Sequence, residues 1–141
     1  MRKVGIAVLG LAVCVAVALM GCQTAKAPSD EEIISKLTND SIAATKAKDI
    51  DKVVSFYSDS FTHGQFGDKS GLKKFLEDAK QMGYLDDIEI DMASAKTVVT
   101  GTTATVGPVL LRGTFGSTTV SYTCTKEKKV GWKITGMDLE M

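Results

Sequence analysis

Apolar positions recur along this chain with three different periods, and each period predicts a different kind of element. Val4–Met20 is an uninterrupted apolar run of seventeen residues behind the positive start Met1-Arg2-Lys3. A polar stretch without periodicity, Gln23–Pro28, follows it and reads as a tether. From Ser29 the spacing becomes helical. Ser29 with Glu32 three residues on forms a capping-box pattern, and Ile33, Ile34, Leu37 and Ala44 recur at helical spacing through about Lys48. Asp49 is placed to cap a second helix over Ile50–Tyr57, with Ile50, Val53, Val54 and Tyr57 on one face. Phe61–His63 is a short extended piece ended by Gly64 and Gly67. A third helix is expected over Ser70–Met82, with Leu72, Phe75, Leu76 and Ala79 inward and Gly83 at its C-terminal stop.

Beyond Tyr84 the period drops to two. Ile88, Ile90 and Met92 alternate with acids, and Lys96–Val99 continues that strand or pairs beside it. Thr102–Arg112, Ser117–Glu127 and Val130–Leu139 are further strand-like runs, rich in threonine and valine. In the second, Val120, Tyr122 and Cys124 share a face; in the last, Val130, Trp132 and Ile134 do. After Gly136 the apolar phase slips to Met137 and Leu139, which predicts a bulge. Both faces are apolar at Val109-Leu110-Leu111, so that stretch is expected to be covered on two sides. Helices first and an antiparallel sheet afterwards define an α+β fold class, with the helices packed on one face of the sheet.

Charge and cysteine usage narrow this picture. The chain carries 17 basic and 17 acidic side chains, and the apolar N-terminal segment takes only Arg2 and Lys3 with it. Residues 22–141 therefore hold 15 basic and 17 acidic groups, a balance without the basic face that nucleic acid requires. Of three cysteines, Cys14 lies in the apolar run, Cys22 closes it, and Cys124 alone remains in the body. One leftover cysteine cannot form an internal disulfide and reads as a buried small hydrophobe.

Leu19-Met20-Gly21-Cys22 resembles the lipobox of bacterial lipoproteins, in which the cysteine is lipidated and becomes the N-terminus. A basic start, an apolar middle and a small residue at the cut also define a secretory signal. The run sits at the lower limit for a spanning helix, so an uncleaved anchor is the rival; Gly5 and Gly10 count against it. The resemblance implies three segments: a signal peptide over 1–21, a lipidated Cys22 with tether over 22–29, and a domain over 30–141. Two or more acyl chains hold a protein stably, each buried methylene contributing roughly 0.8 kcal/mol. Export and lipid anchoring at the cell envelope follow. Gln23 after the cysteine favours the outer membrane, facing the periplasm, if the source is Gram-negative.

The body carries a second resemblance. Asp49–Phe61 (DIDKVVSFYSDSF) resembles the second helix and following turn of the NTF2-like superfamily, in its SnoaL-like and ketosteroid-isomerase-like branches. Gly67–Leu76 (GDKSGLKKFL) is similar to its third helix, and Gly131–Met137 (GWKITGM) to its final strand. The match spans about Glu31 to Glu140. It implies a curved sheet closed by helices around an apolar cavity, often dimeric through the sheet. That superfamily holds isomerases, hydrolases, carriers and association domains, so activity must be argued from the site.

His63, the only histidine, is suited to acid–base work near neutral pH, with Asp59 and Tyr57 as its candidate catalytic companions. No second histidine or cysteine accompanies it, so neither a metal nor a cofactor is expected. Asp59 also fits a helix-ending role on backbone N–H groups. Tyr57, His63, Tyr122 and Trp132 are the candidate ligand-binding residues, although Tyr57 and Trp132 equally suit the core. The acids Asp86, Asp87, Glu89 and Asp91 alternate with apolar residues and face water, and Lys126–Lys129 forms a charged hairpin tip. The isomerase carboxylates map onto no matching positions. The expected function is therefore a membrane-anchored, non-catalytic module binding a small apolar ligand or a protein partner. A SnoaL-like enzyme using His63 is the alternative, and a purely structural or homodimerising module the third.

Overall fold

The computed structural model describes residues 26–140. The apolar run, Cys14, Cys22 and the cut between Gly21 and Cys22 lie outside the described residues. Ser29 caps α1 (Asp30–Lys46) with the reciprocal bonds of a capping box: its hydroxyl accepts from Glu32 N–H and its own N–H donates to the Glu32 carboxylate. Asp49 caps α2 (Ile50–Ser55) and Asp68 caps α3 (Lys69–Gln81), each accepting a backbone N–H of the first turn. Three N-terminal caps therefore satisfy donors that the helices themselves leave open. No helix among the described residues is long and apolar enough to cross a membrane.

The second helix ends two residues before the expected Tyr57. The reason is tertiary. Ser58 N–H donates to Ile134 O at 2.8 Å and Ile134 N–H donates to Phe56 O at 3.0 Å, so this backbone is taken by the last strand. Thr62–His63 (β1) and Gly67–Asp68 (β2) then pair as a small antiparallel hairpin that the sequence did not announce. Gly67 turns it with φ near +76°, a conformation glycine adopts without strain.

The main sheet is fully antiparallel. β3 (Glu89–Asp91) and β4 (Lys96–Thr100) both pair with β5 (Thr103–Gly113), which pairs with β6 (Gly116–Glu127), which pairs with β7 (Gly131–Glu140). Two irregularities bend it. One in the β5–β6 register lies between Val106 and Val109, where Pro108 has no N–H to give to a ladder. The other separates Ile134 from Gly136, one residue before the point where the apolar phase slips.

One face of this curved sheet is the core. Ala104, Val106, Cys124, Trp132 and Ile134 pack against Ile34, Ala44, Val53, Tyr57, Phe61 and Leu72. Thr38 and Ser41 also lie on the buried stripe of α1, and Thr38 satisfies its hydroxyl on Ile34 O at 2.9 Å. Several expected inward residues point elsewhere. Ile33 and Phe75 are 37% and 46% exposed, and Val130 sits in the turn before β7 at 60%. The opposite face carries Thr103, Thr105, Thr119, Ser121, Thr123 and Thr125, and with them Leu110, which is half-buried rather than covered on both sides.

Gly71 in the first turn of α3 couples the helix to the hairpin. A Cβ there would lie 1.8 Å from the Phe66 carbonyl oxygen. Glycine to alanine on an open helix surface stabilises by about 1 kcal/mol. Here the sign reverses, because the neighbour is backbone. Gly71→Ala is expected to cost at least about 2 kcal/mol of unfolding free energy, read from urea denaturation.

Candidate functional site

Two groups of side chains lie near one another where the β1–β2 hairpin meets β7, one inside the fold and one at its rim. The inner group is Tyr57, Tyr122, Cys124 and Met137. Tyr57 follows α2 and is 5% exposed, held edge-to-face against Phe61 with centroids 5.0 Å apart. Its hydroxyl donates to Met137 Sδ at 3.9 Å, a weak acceptor. Tyr122 and Met137 face each other across β6 and β7, so the bulge at Thr135 is what turns Met137 inward.

Burial reinforces the neutral state of this group. Desolvation, with Tyr122 and Cys124 close by, pushes the Tyr57 hydroxyl well above the ordinary tyrosine range. Desolvation first, and Cys124 second, raises Tyr122 to about 12. The wholly buried Cys124 thiol is pushed up to about 11. All three hold their protons at neutral pH, so the interior offers donors and no anion. Cys124 is thus not a nucleophile.

The rim group is built on the β1–β2 hairpin. His63 stacks on Phe66 at 4.4 Å between centroids and 18° between planes, and Phe66 packs on Phe75 of α3 at 4.3 Å. Nδ1 of His63 accepts the Gln65 N–H at 3.1 Å, which fixes the ring. His63 lines an open groove of about 510 Å³ together with Thr62, Gln65, Thr135, Met137 and Asp138. The space between helices and sheet is filled by side chains. Phe61, Ile34, Leu72 and Ile134 are almost completely buried there, where the resemblance implied an apolar cavity.

The remaining candidates do not join this constellation. Asp59 neither ends the helix nor faces His63. Its side chain is 99% exposed and pairs with Lys69 at 2.9 Å, which holds the carboxyl below the usual range. Ser58 does the local bonding instead, accepting the Ser60 N–H at 3.0 Å. Trp132 is buried against the helices, and its Nε1 donates to Asp30 Oδ1 at 2.9 Å. Cys22 lies outside the described residues. No group of three or more metal-ligating side chains converges among the described residues. Phe66 and Phe75, stacked beside His63, and Met137, which lines the groove, are neighbours that the sequence did not place with it. Phe75 carried a misleading signal, because it lies on the helical stripe that predicts core.

The chain matches no protein-family model, and a search of curated proteins finds no match. Solved structures do resemble it. An NTF2-like protein of unknown function from Pseudomonas putida KT2440 superposes with a TM-score of 0.66 at 16% identity, over 78% of this chain and 84% of that one. A putative ketosteroid isomerase from Shewanella frigidimarina gives 0.65 at 15%, over 79% and 98%. Bd1075 from Bdellovibrio bacteriovorus gives 0.63 at 17%, over 77% of this chain but only 39% of that one, so the chain spans about two-fifths of its length. These likenesses establish the fold: an α+β, NTF2-like, cystatin-like architecture with a curved, antiparallel sheet.

The buried hydroxyls and thiol predict a pH dependence. Each group has a folded pKa above its unfolded one, so its stabilising contribution is present below the unfolded value and lost as pH rises through the folded one. For Cys124 that window opens near the ordinary thiol value of 9.0 and closes near 11. Thermal melts between pH 8 and 11 are expected to show a falling Tm. The Cys124→Ala variant is expected to fall less steeply.

Proposed function

We propose that the chain is a lipid-anchored protein of the cell envelope whose NTF2-like domain binds a small apolar ligand or a protein segment without transforming it. One observation carries the binding reading. The buried Tyr57 hydroxyl meets a thioether, Met137 Sδ, rather than a carboxylate, whereas Asp59, the candidate base, is ion-paired with Lys69 in solvent. Proton abstraction from carbon needs a base held against the reacting atom. Beside this interior, His63 lines a groove whose volume falls within the usual range for small ligands, and the ring stacks on Phe66, which packs on the exposed Phe75.

The lipid anchor rests on Leu19–Cys22 and on the short tether before Ser29. A second reading, acid–base chemistry by His63, draws on its fixed ring and its place in the groove. The threonine-rich outer face, with Val98 at 56% exposure, suits a second copy of the chain, which is the dimer proposed here.

Native mass spectrometry of the full mature protein tests the binding reading. One apolar molecule per chain is expected, and Phe75→Ala is expected to weaken its retention about tenfold. A protein that carries no ligand and takes up none from a panel of apolar compounds overturns it. A mass shift of the ligand that depends on His63 would favour the enzyme instead. For the anchor, Cys22→Ala is expected to release the chain from membranes; unchanged retention with the N-terminal segment intact favours an uncleaved helix.

A further inference from the structure

The chain enters the domain at the root of one hairpin. Asp30, the first residue of α1, accepts from Lys126 Nζ at 3.0 Å and from Trp132 Nε1 at 2.9 Å. Those donors flank the β6–β7 turn, whose tip is Lys128, Lys129 and Val130, all exposed. From Cys22 to Ser29 the backbone reaches at most about 25 Å. An anchor at Cys22 therefore keeps this turn near the bilayer.

The chemistry of the turn matches that position. Lys69, Lys128, Lys129 and Lys133 line one open groove of about 450 Å³ with Val130, against two acids, Asp59 and Glu127. Asp59 is already paired with Lys69. Lys128 and Lys129 have no ion-pair partner among the described residues. At the far end of the sheet acids outnumber bases, although Asp86 pairs with Lys48 and Arg112 lies opposite Glu89. Glu89 and Asp91 on β3, Asp138 and Glu140 on β7, and the neighbouring Asp86 and Asp87 are all exposed there. Along the strands the two ends are roughly 30 Å apart, several Debye lengths at physiological salt. An anionic surface at the tethered end thus attracts the lysines while the acids of the far end are screened from it.

Resting on the lipid-anchor reading, we propose that the β6–β7 turn is a second membrane contact, with Lys128, Lys129 and Lys133 on anionic phospholipid headgroups and Val130 at the interface. The domain is thereby oriented with its acidic end outward.

The full processed chain, reconstituted in nanodiscs of phosphatidylcholine alone or mixed with phosphatidylglycerol, tests this. Brief lysine acetylation followed by peptide mass spectrometry reads the contact. Lys128 and Lys129 are expected to react about threefold or more slowly on anionic discs, with Lys96 unchanged and the protection lost in high salt. The double variant Lys128→Glu/Lys129→Glu is expected to stay on the discs and to lose salt-sensitive protection at Lys133. Equal rates on both lipids, with the chain still retained, overturn the hairpin contact alone. Protection by inorganic phosphate on neutral discs, equal to that by anionic lipid, also overturns it in favour of a soluble-anion site. A chain that washes off both kinds of disc overturns the anchor, and this arrangement with it.

Discussion

Everything in this domain depends on covering one face of a bent sheet. Cys124 and Ile134 are completely buried on that face, and they stay so because the chain leaves α2 early and bonds back to Ile134. That parallel contact fixes Tyr57 and Phe61 over the sheet and throws the β1–β2 hairpin to the rim. It contributes burial and two backbone bonds at once. Removing any one of these large side chains would leave a void that neighbours held by strands and caps could close only in part.

The bends matter as much as the burial. A flat β7 would keep one alternation along its length, and Met137 would then face away from Tyr122. The extra residue at Thr135 reverses the alternation, so a thioether meets the Tyr57 hydroxyl instead. The interior becomes a place of proton donors without a charged acceptor. The aromatic stack of His63, Phe66 and Phe75 lies outside it, at the rim.

Much of the fold was legible in residue order. Ser29 with Glu32, Asp49 and Gly83 mark helix ends by short-range bonding or backbone freedom, which a sequence displays directly. The change from helical to alternating periodicity located the sheet, and the phase slip near Gly136 located a bulge. What stayed hidden was set over long distances. Ile33 and Phe75 sit on the apolar stripes of their helices but stay 37% and 46% exposed, and Phe75 packs on Phe66 of the hairpin instead of the main sheet. Asp59 resembles a helix-ending residue until Lys69, ten positions on, folds back beside it. His63 was found as the lone histidine. Its partner Phe66 was not, because Gly71 must first allow backbone to meet helix.

Cys124 has a consequence that reaches beyond the core. A thiol sealed from solvent and kept protonated has no encounter with oxidants or with other thiols, even in a compartment where disulfides form readily. Once folded, the described body presents no reactive thiol. A thiol reagent added to the folded chain would therefore meet no accessible cysteine among the described residues.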